Sequence, residues 1–170
     1  MRNIEIVVFL VLGLSIHTLK GQTKQITNAK ISFEFVSKET KGTISGFESE
    51  SVIDFENPEN SILTGSVASE TLDTNNGLRN WSLKSGKYFD TDDYPRIRFE
   101  SKQVKSEGEK LTVIGNLTIK DITKSITITF NQDGNQLIGV ASLYSIDYGI
   151  KIKKNRADNL VKVKMVFDIE

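Results

Sequence analysis

The chain has 170 residues, 22 Lys and Arg against 22 Asp and Glu, 38% hydrophobic residues, no cysteine and one histidine. That is the size and balance of a single globular domain, with no basic excess to make a nucleic-acid footprint. The missing cysteines exclude disulfides, thiolate metal sites, thiol nucleophiles and a lipid-modified N-terminal Cys.

In chain order, Arg2 precedes an apolar run from Ile6 to Leu14, and Lys20-Gly21-Gln22 follows. A basic start and a run within the ~7–15 residues of an h-region have the pattern of a secretory signal peptide. The run is too short for the ~18–20 residues of a membrane span. We expect residues 1–21 to be removed after Gly21, leaving residues 22–170 as one exported domain with no stable membrane span. His17 leaves with the presequence. Ser-His-Asp, Cys-His and His-ligated zinc chemistry are then closed to the mature chain.

The rest reads as all-β. Ile31, Phe33 and Phe35 alternate with Ser32 and Glu34, the period of a half-buried strand. Thr43–Phe55 continues in extended style, with Gly42 and Gly46 near its start as marks of a bend or bulge. Asn57-Pro58-Glu59-Asn60 is a turn, and Ile62–Ala68 is the next strand. Further strands carry Ile97 and Phe99 just after Pro95, then Leu111 to Ile119, then Ile126, Ile128 and Phe130. Asp133-Gly134-Asn135 turns that last strand into Leu137–Tyr144. The final strand points Val161, Val163, Met165, Phe167 and Ile169 one way and Lys162, Lys164 and Asp168 the other. Short strands separated by turn signals imply a sandwich or a barrel.

Asp73–Asp93 breaks the alternation. Asn75-Asn76-Gly77 can cap a short helix carrying Leu78, Trp81 and Leu83, with loop from Ser85 to Tyr94. This insertion, which holds the only Trp, is expected to lie over a barrel mouth. Motifs that carry chemistry are missing. Gly86-Lys87 lacks the spacing of a phosphate loop, and Asp90, Asp92 and Asp93 are followed by Tyr94-Pro95 where a calcium loop needs Asp or Asn and Gly. No metal, cofactor or catalytic residue is assigned. Lys151, Lys153, Lys154 and Arg156 are read as an exposed strand edge blunted by charge.

A longer pattern then stands out. Asn76-Gly77-Leu78-Arg79-Asn80-Trp81-Ser82-Leu83-Lys84-Ser85-Gly86-Lys87-Tyr88-Phe89-Asp90 is followed by Tyr94-Pro95-Arg96-Ile97-Arg98-Phe99-Glu100-Ser101. This resembles the YceI-like lipid/polyisoprenoid-binding family, with its Asn-x-x-Arg-Asp-x-His-Leu-Lys-Ser-x-x-Phe-Phe-Asp run and Tyr-Pro-x-Ile-x-Phe-x-Ser block. Gly115-Asn116-Leu117-Thr118, Tyr148-Gly149-Ile150 and, more loosely, Gly46-Phe47 are similar to further family segments. The family's His falls on Ser82, its Asp on Asn80, and a Gly on Asp121.

The resemblance implies an extended, lipocalin-like antiparallel β-barrel of about eight strands with one short helix and loop insertion. It implies a periplasmic or secreted, non-catalytic carrier for a long isoprenoid or similar amphiphilic lipid, with a homodimer left open. Phe33, Phe35, Phe47, Phe99, Leu117, Ile128 and Met165 are the candidate lining, each with plain core packing as its alternative. Trp81, Leu83, Tyr88 and Phe89 are the candidates to close the mouth. Arg79 and Lys84 are candidates to meet a phosphate or quinone head, or else to pair with the Asp90–Asp93 loop. The competing function is a surface module with a packed core that binds protein or glycan through its loops. Interior volume separates the two.

Overall fold

Alternating side chains build most of the wall. The structure is a computed structural model describing residues 23–170, so the expected signal peptide lies outside the described residues. The strands are β1 (Lys24–Phe35), β2 (Thr40–Ile44), β3 (Glu48–Ser49), β4 (Val52–Ile53) and β5 (Thr64–Ala68). After one helix, α1 (Gly77–Lys84), come β6 (Arg96–Glu107), β7 (Lys110–Ile119), β8 (Ile122–Asp133), β9 (Gln136–Tyr144) and β10 (Leu160–Ile169). In β7 every second residue from Leu111 to Ile119 is buried, including Gly115. That is the period-two signature of one wet and one dry face.

The sheet runs antiparallel from β1 through β10, β9, β8, β7 and β6 to β5. The three short strands β2, β3 and β4 are pieces of one bent strand. On one side, β2 and β4 pair with the two halves of β1. On the other, β3 pairs with β5 and Val52 bridges Ile62. Counting this bent strand once, the wall is a ring of eight. The bend falls at Gly46, where φ is 67°. That left-handed conformation is cheap only for glycine.

The two ends differ. At the end bearing the β6–β7 and β8–β9 turns, Ile53, Leu63, Val104, Leu111, Val113, Phe130, Leu137, Phe167 and Ile169 pack into one core cluster. Phe47, Phe167 and Phe130 floor the interior there, with ring centroids 5.3 Å and 5.7 Å apart in successive pairs. The opposite end carries α1 and the 145–159 segment, which joins β9 to β10.

The Lys151–Arg156 stretch departs from its expected place. It lies outside every strand, in the connection between β9 and β10. Fully buried Asn159 organises this connection. Its side chain accepts from the amides of Ile152 and Lys153 and donates to the carbonyls of Lys153 and Asn155. Arg156 grips Asp147 through two bonds of 2.8 and 2.6 Å and lies 3.7 Å from the Tyr144 ring centre. That grip holds the Asp147 carboxyl below its usual range.

Candidate functional site

Inside the ring lies a cavity of about 550 Å³. Its size is within the ~300–1,000 Å³ of small-molecule pockets. It descends from the α1 end to the Phe47–Phe167–Phe130 floor. Eleven of the thirteen residues singled out from sequence line it: Phe33, Phe35, Phe47, Arg79, Leu83, Tyr88, Phe89, Phe99, Leu117, Ile128 and Met165. Period-two alternation explains the strand members. The lining that the reading missed includes Ile31, Val163 and Phe167, which share a face with named neighbours and could have been added by parity alone.

The cavity stays open because large rings lie against the wall instead of across the lumen. Phe33 faces Gly42 and Phe130 faces Gly139 directly across strand pairs. Phe99 covers Gly115 on the neighbouring strand. A Cβ built on any of these glycines would collide with the ring above it. Rings laid over cross-strand glycines are a known device for curving sheets. Here they also leave the centre of the barrel empty.

The lining is chemically one-sided. Apart from hydroxyls, its polar side chains are the cations Lys38 and Arg79, Arg98 lying on the outer face of β6 between the inward Ile97 and Phe99, and no Asp or Glu lines it. Lys38 belongs to the β1–β2 connection and Arg79 to α1, both at the mouth. No regularity of the sequence marks Lys38. Among the described residues, neither Arg79 nor Lys84 makes an ion pair within 4 Å, so the alternative pairing with the Asp90–Asp93 loop is not formed.

Helix α1 is placed by its first turn. Asn76 caps it, its side chain accepting from the Arg79 amide at 2.9 Å. Asn80 then latches the helix to the strip below. Its oxygen accepts from the Thr74 amide and hydroxyl, and its nitrogen donates to Asp73 at 2.8 Å. The Asn80 and Asn75 bonds hold the Asp73 carboxyl below its ordinary pKa. An Asp at position 80 would face Asp73 with a second negative charge, which gives this chain's departure from the family pattern a physical sense.

Trp81 and Lys84 do not line the cavity. Trp81 is 77% exposed and Leu78 83%. The reason is helical geometry. Residues two apart lie about 200° apart around a helix, so Trp81 and Leu83 cannot face the same way. Arg79, Ser82 and Leu83 form the inner face. Leu78, Trp81 and Lys84 share the outer side. Of the four residues expected at the mouth, Leu83, Tyr88 and Phe89 line the cavity and Trp81 does not.

A one-ended, apolar-lined antiparallel barrel defines the class of small β-barrels that can hold a single ligand. The model of the YceI-like domain matches residues 18–170, and the chain belongs to that family. A UPF0312 protein, plu2095, from Photorhabdus laumondii is 37% identical over 87 residues, which cover 51% of this chain and 45% of that protein. Protein YceI from Salmonella arizonae is 31% identical over 87 residues, covering 51% and 46%. The chain thus matches about half the length of these curated relatives. Burkholderia cenocepacia BcnA superposes with a TM-score of 0.70 at 19% identity, covering 84% of this chain and 96% of that one. A polyisoprenoid-binding domain from Saccharophagus degradans, implicated in plant cell wall breakdown, superposes with a TM-score of 0.60 at 13% identity, covering 87% and 97%. These superpositions establish the shared fold.

Proposed function

We propose that this protein is a non-catalytic carrier that holds the tail of a long isoprenoid or similar amphiphilic lipid in its barrel. The observation that carries this reading is the open apolar lumen, floored at one end and entered at the other. The S. degradans neighbour, a polyisoprenoid-binding domain, supports the ligand class. Phe33, Phe35, Phe47, Phe99, Leu117, Ile128 and Met165 would contact the tail, and Leu83, Tyr88 and Phe89 would close over it. Burying ~10 methylene groups at ~0.8 kcal/mol each gives roughly 8 kcal/mol gross. Ordering the tail takes back part of it. The packed interior that a surface-binding module would have is at odds with the lumen.

We further propose export to the periplasm or beyond after loss of residues 1–21. Native mass spectrometry of protein purified from its own compartment tests both statements. A lipid adduct, extractable and identifiable, with an N-terminus near Gln22 is the expected result. Intact Met1 on soluble exported protein would refute the processing, and adduct-free protein that takes up no added isoprenoid would refute the carrier.

A further inference from the structure

The outer face of α1 is left unused by the lumen. Leu78 and Trp81 stand largely in solvent on one side of a helix whose other side lines the mouth. Two large apolar side chains side by side, exposed at the entrance of an apolar cavity, are costly in water and ask for an apolar partner. The surrounding charge says which. From Thr74 to Phe89 the chain carries Arg79, Lys84 and Lys87 and not one carboxylate. None of these three cations makes an ion pair within 4 Å among the described residues. Lys84 lies near enough to Asp73 to lower its pKa. Lys87 sits 5.4 Å above the Tyr88 ring centre. Asp73 lies under the helix, bonded to Asn80, and the Asp90 carboxylate folds back to Gly86, yet neither closes an ion pair within 4 Å with any of the three cations.

Apolar anchors that include a Trp, flanked by cations on flexible stems, are the composition of a helix that lies in a membrane interface. We propose that the outer face of α1 docks the cavity mouth onto a bilayer containing anionic lipid, with Leu78 and Trp81 inserted and Lys84 and Lys87 at the head groups. The inference rests on the carrier reading and adds the route. A water-insoluble tail then passes from bilayer to lumen along the α1 edge without crossing water.

Trp81 is the only tryptophan, so its fluorescence reports on this face alone. The processed protein is titrated with vesicles of phosphatidylcholine containing phosphatidylglycerol, with and without brominated acyl chains. We expect a blue shift of Trp81 emission and quenching by the brominated lipid. Leu78→Ser should weaken binding about tenfold or more, as loss of one inserted Leu predicts. Lys84→Glu should weaken it only with phosphatidylglycerol present. Both positions are outside the lumen, and urea melts of the variants check that folding is intact.

Unshifted, unquenched emission at vesicle excess overturns the proposal. So does a blue shift that depends on protein concentration in the absence of vesicles, because a second copy would then cover the face. Lipid retention by native mass spectrometry separates the two readings. Cargo without docking defeats this inference alone, whereas docking by a protein that never holds a lipid defeats the carrier and leaves the docking face standing.

Discussion

Filling the lumen by one side chain is the sharpest test of whether it is a binding space. Ala141 lines the cavity on β9, directly opposite Ile128 on β8 and Val163 on β10, which also line it. Ala141→Phe would push a ring into the centre of the 550 Å³ cavity. In a filled core such an enlargement costs ~1–3 kcal/mol through overpacking. Into open space it gains apolar contact, and stability should stay level or rise by up to about 2 kcal/mol. The ligand loses what the protein gains. A ring displacing three to four methylene groups of a tail at ~0.8 kcal/mol each removes about 2–3 kcal/mol of binding, or roughly 30- to 160-fold in Kd. Urea melts and titration with a fluorescent long-chain isoprenoid read the two quantities on the same variant. A stability loss beyond about 2 kcal/mol at unchanged m-value would show a packed interior in solution. Undiminished affinity would show that the ligand sits elsewhere.

Other predictions follow from individual groups. The Tyr148 hydroxyl is buried without a hydrogen-bond partner, and burial, with Asp147 beside it, pushes its pKa up from 10.0 to about 12. Between those pH values the unfolded chain has released a proton that the folded chain keeps, so stability falls as pH rises, by about 2–3 kcal/mol. Tyr148→Phe should flatten that alkaline limb in pH-dependent melts and leave neutral stability equal or about 1 kcal/mol higher. Asn159→Ala strands two amides and two carbonyls of the β9–β10 connection, and should cost about 2–4 kcal/mol in urea unfolding. Asn80→Asp should free α1 at neutral pH, seen as faster amide exchange over Gly77–Lys84, and acid that protonates the pair should restore protection. Trp81→Ala should leave stability within about 0.5 kcal/mol, as befits a solvent-facing side chain.

The strand pattern of β8 and β10 was legible because each has one wet and one dry face along its middle. The ends of β1 and β6 were not. Lys24–Gln25 and Lys102–Gln103 set polar residues side by side, and the pairing shifts register at Thr27 in β1 and at Lys102 in β6. Thr43–Phe55 read as one strand because its composition is extended throughout. Only Gly46 signalled that it changes partners. The capped helix is visible in Asn75-Asn76-Gly77, but the side it turns to the lumen follows only from counting around the helix, a count that sets Trp81 on the outer side. Whether inward residues meet or leave a hollow is not a property of any strand. It depends on rings such as Phe33 finding a glycine on the next strand, a relation between residues that become neighbours only once the register is set.

The neighbour of β1 is β10, with Ile31 opposite Met165 and Phe33 opposite Val163. These partners are far apart along the chain, so the wall cannot be completed by local steps. Chains dominated by such pairings fold slowly, on the scale of milliseconds to seconds. Until β10 arrives, the apolar stripe of β1 and that of β9 are both open edges exposed to self-association. A defect in β10 therefore does not stay local. It leaves Phe33 and Phe35 near the mouth, and Phe47 on the floor, without the strand that holds them in a common ring, so entrance and floor are gained or lost in one event.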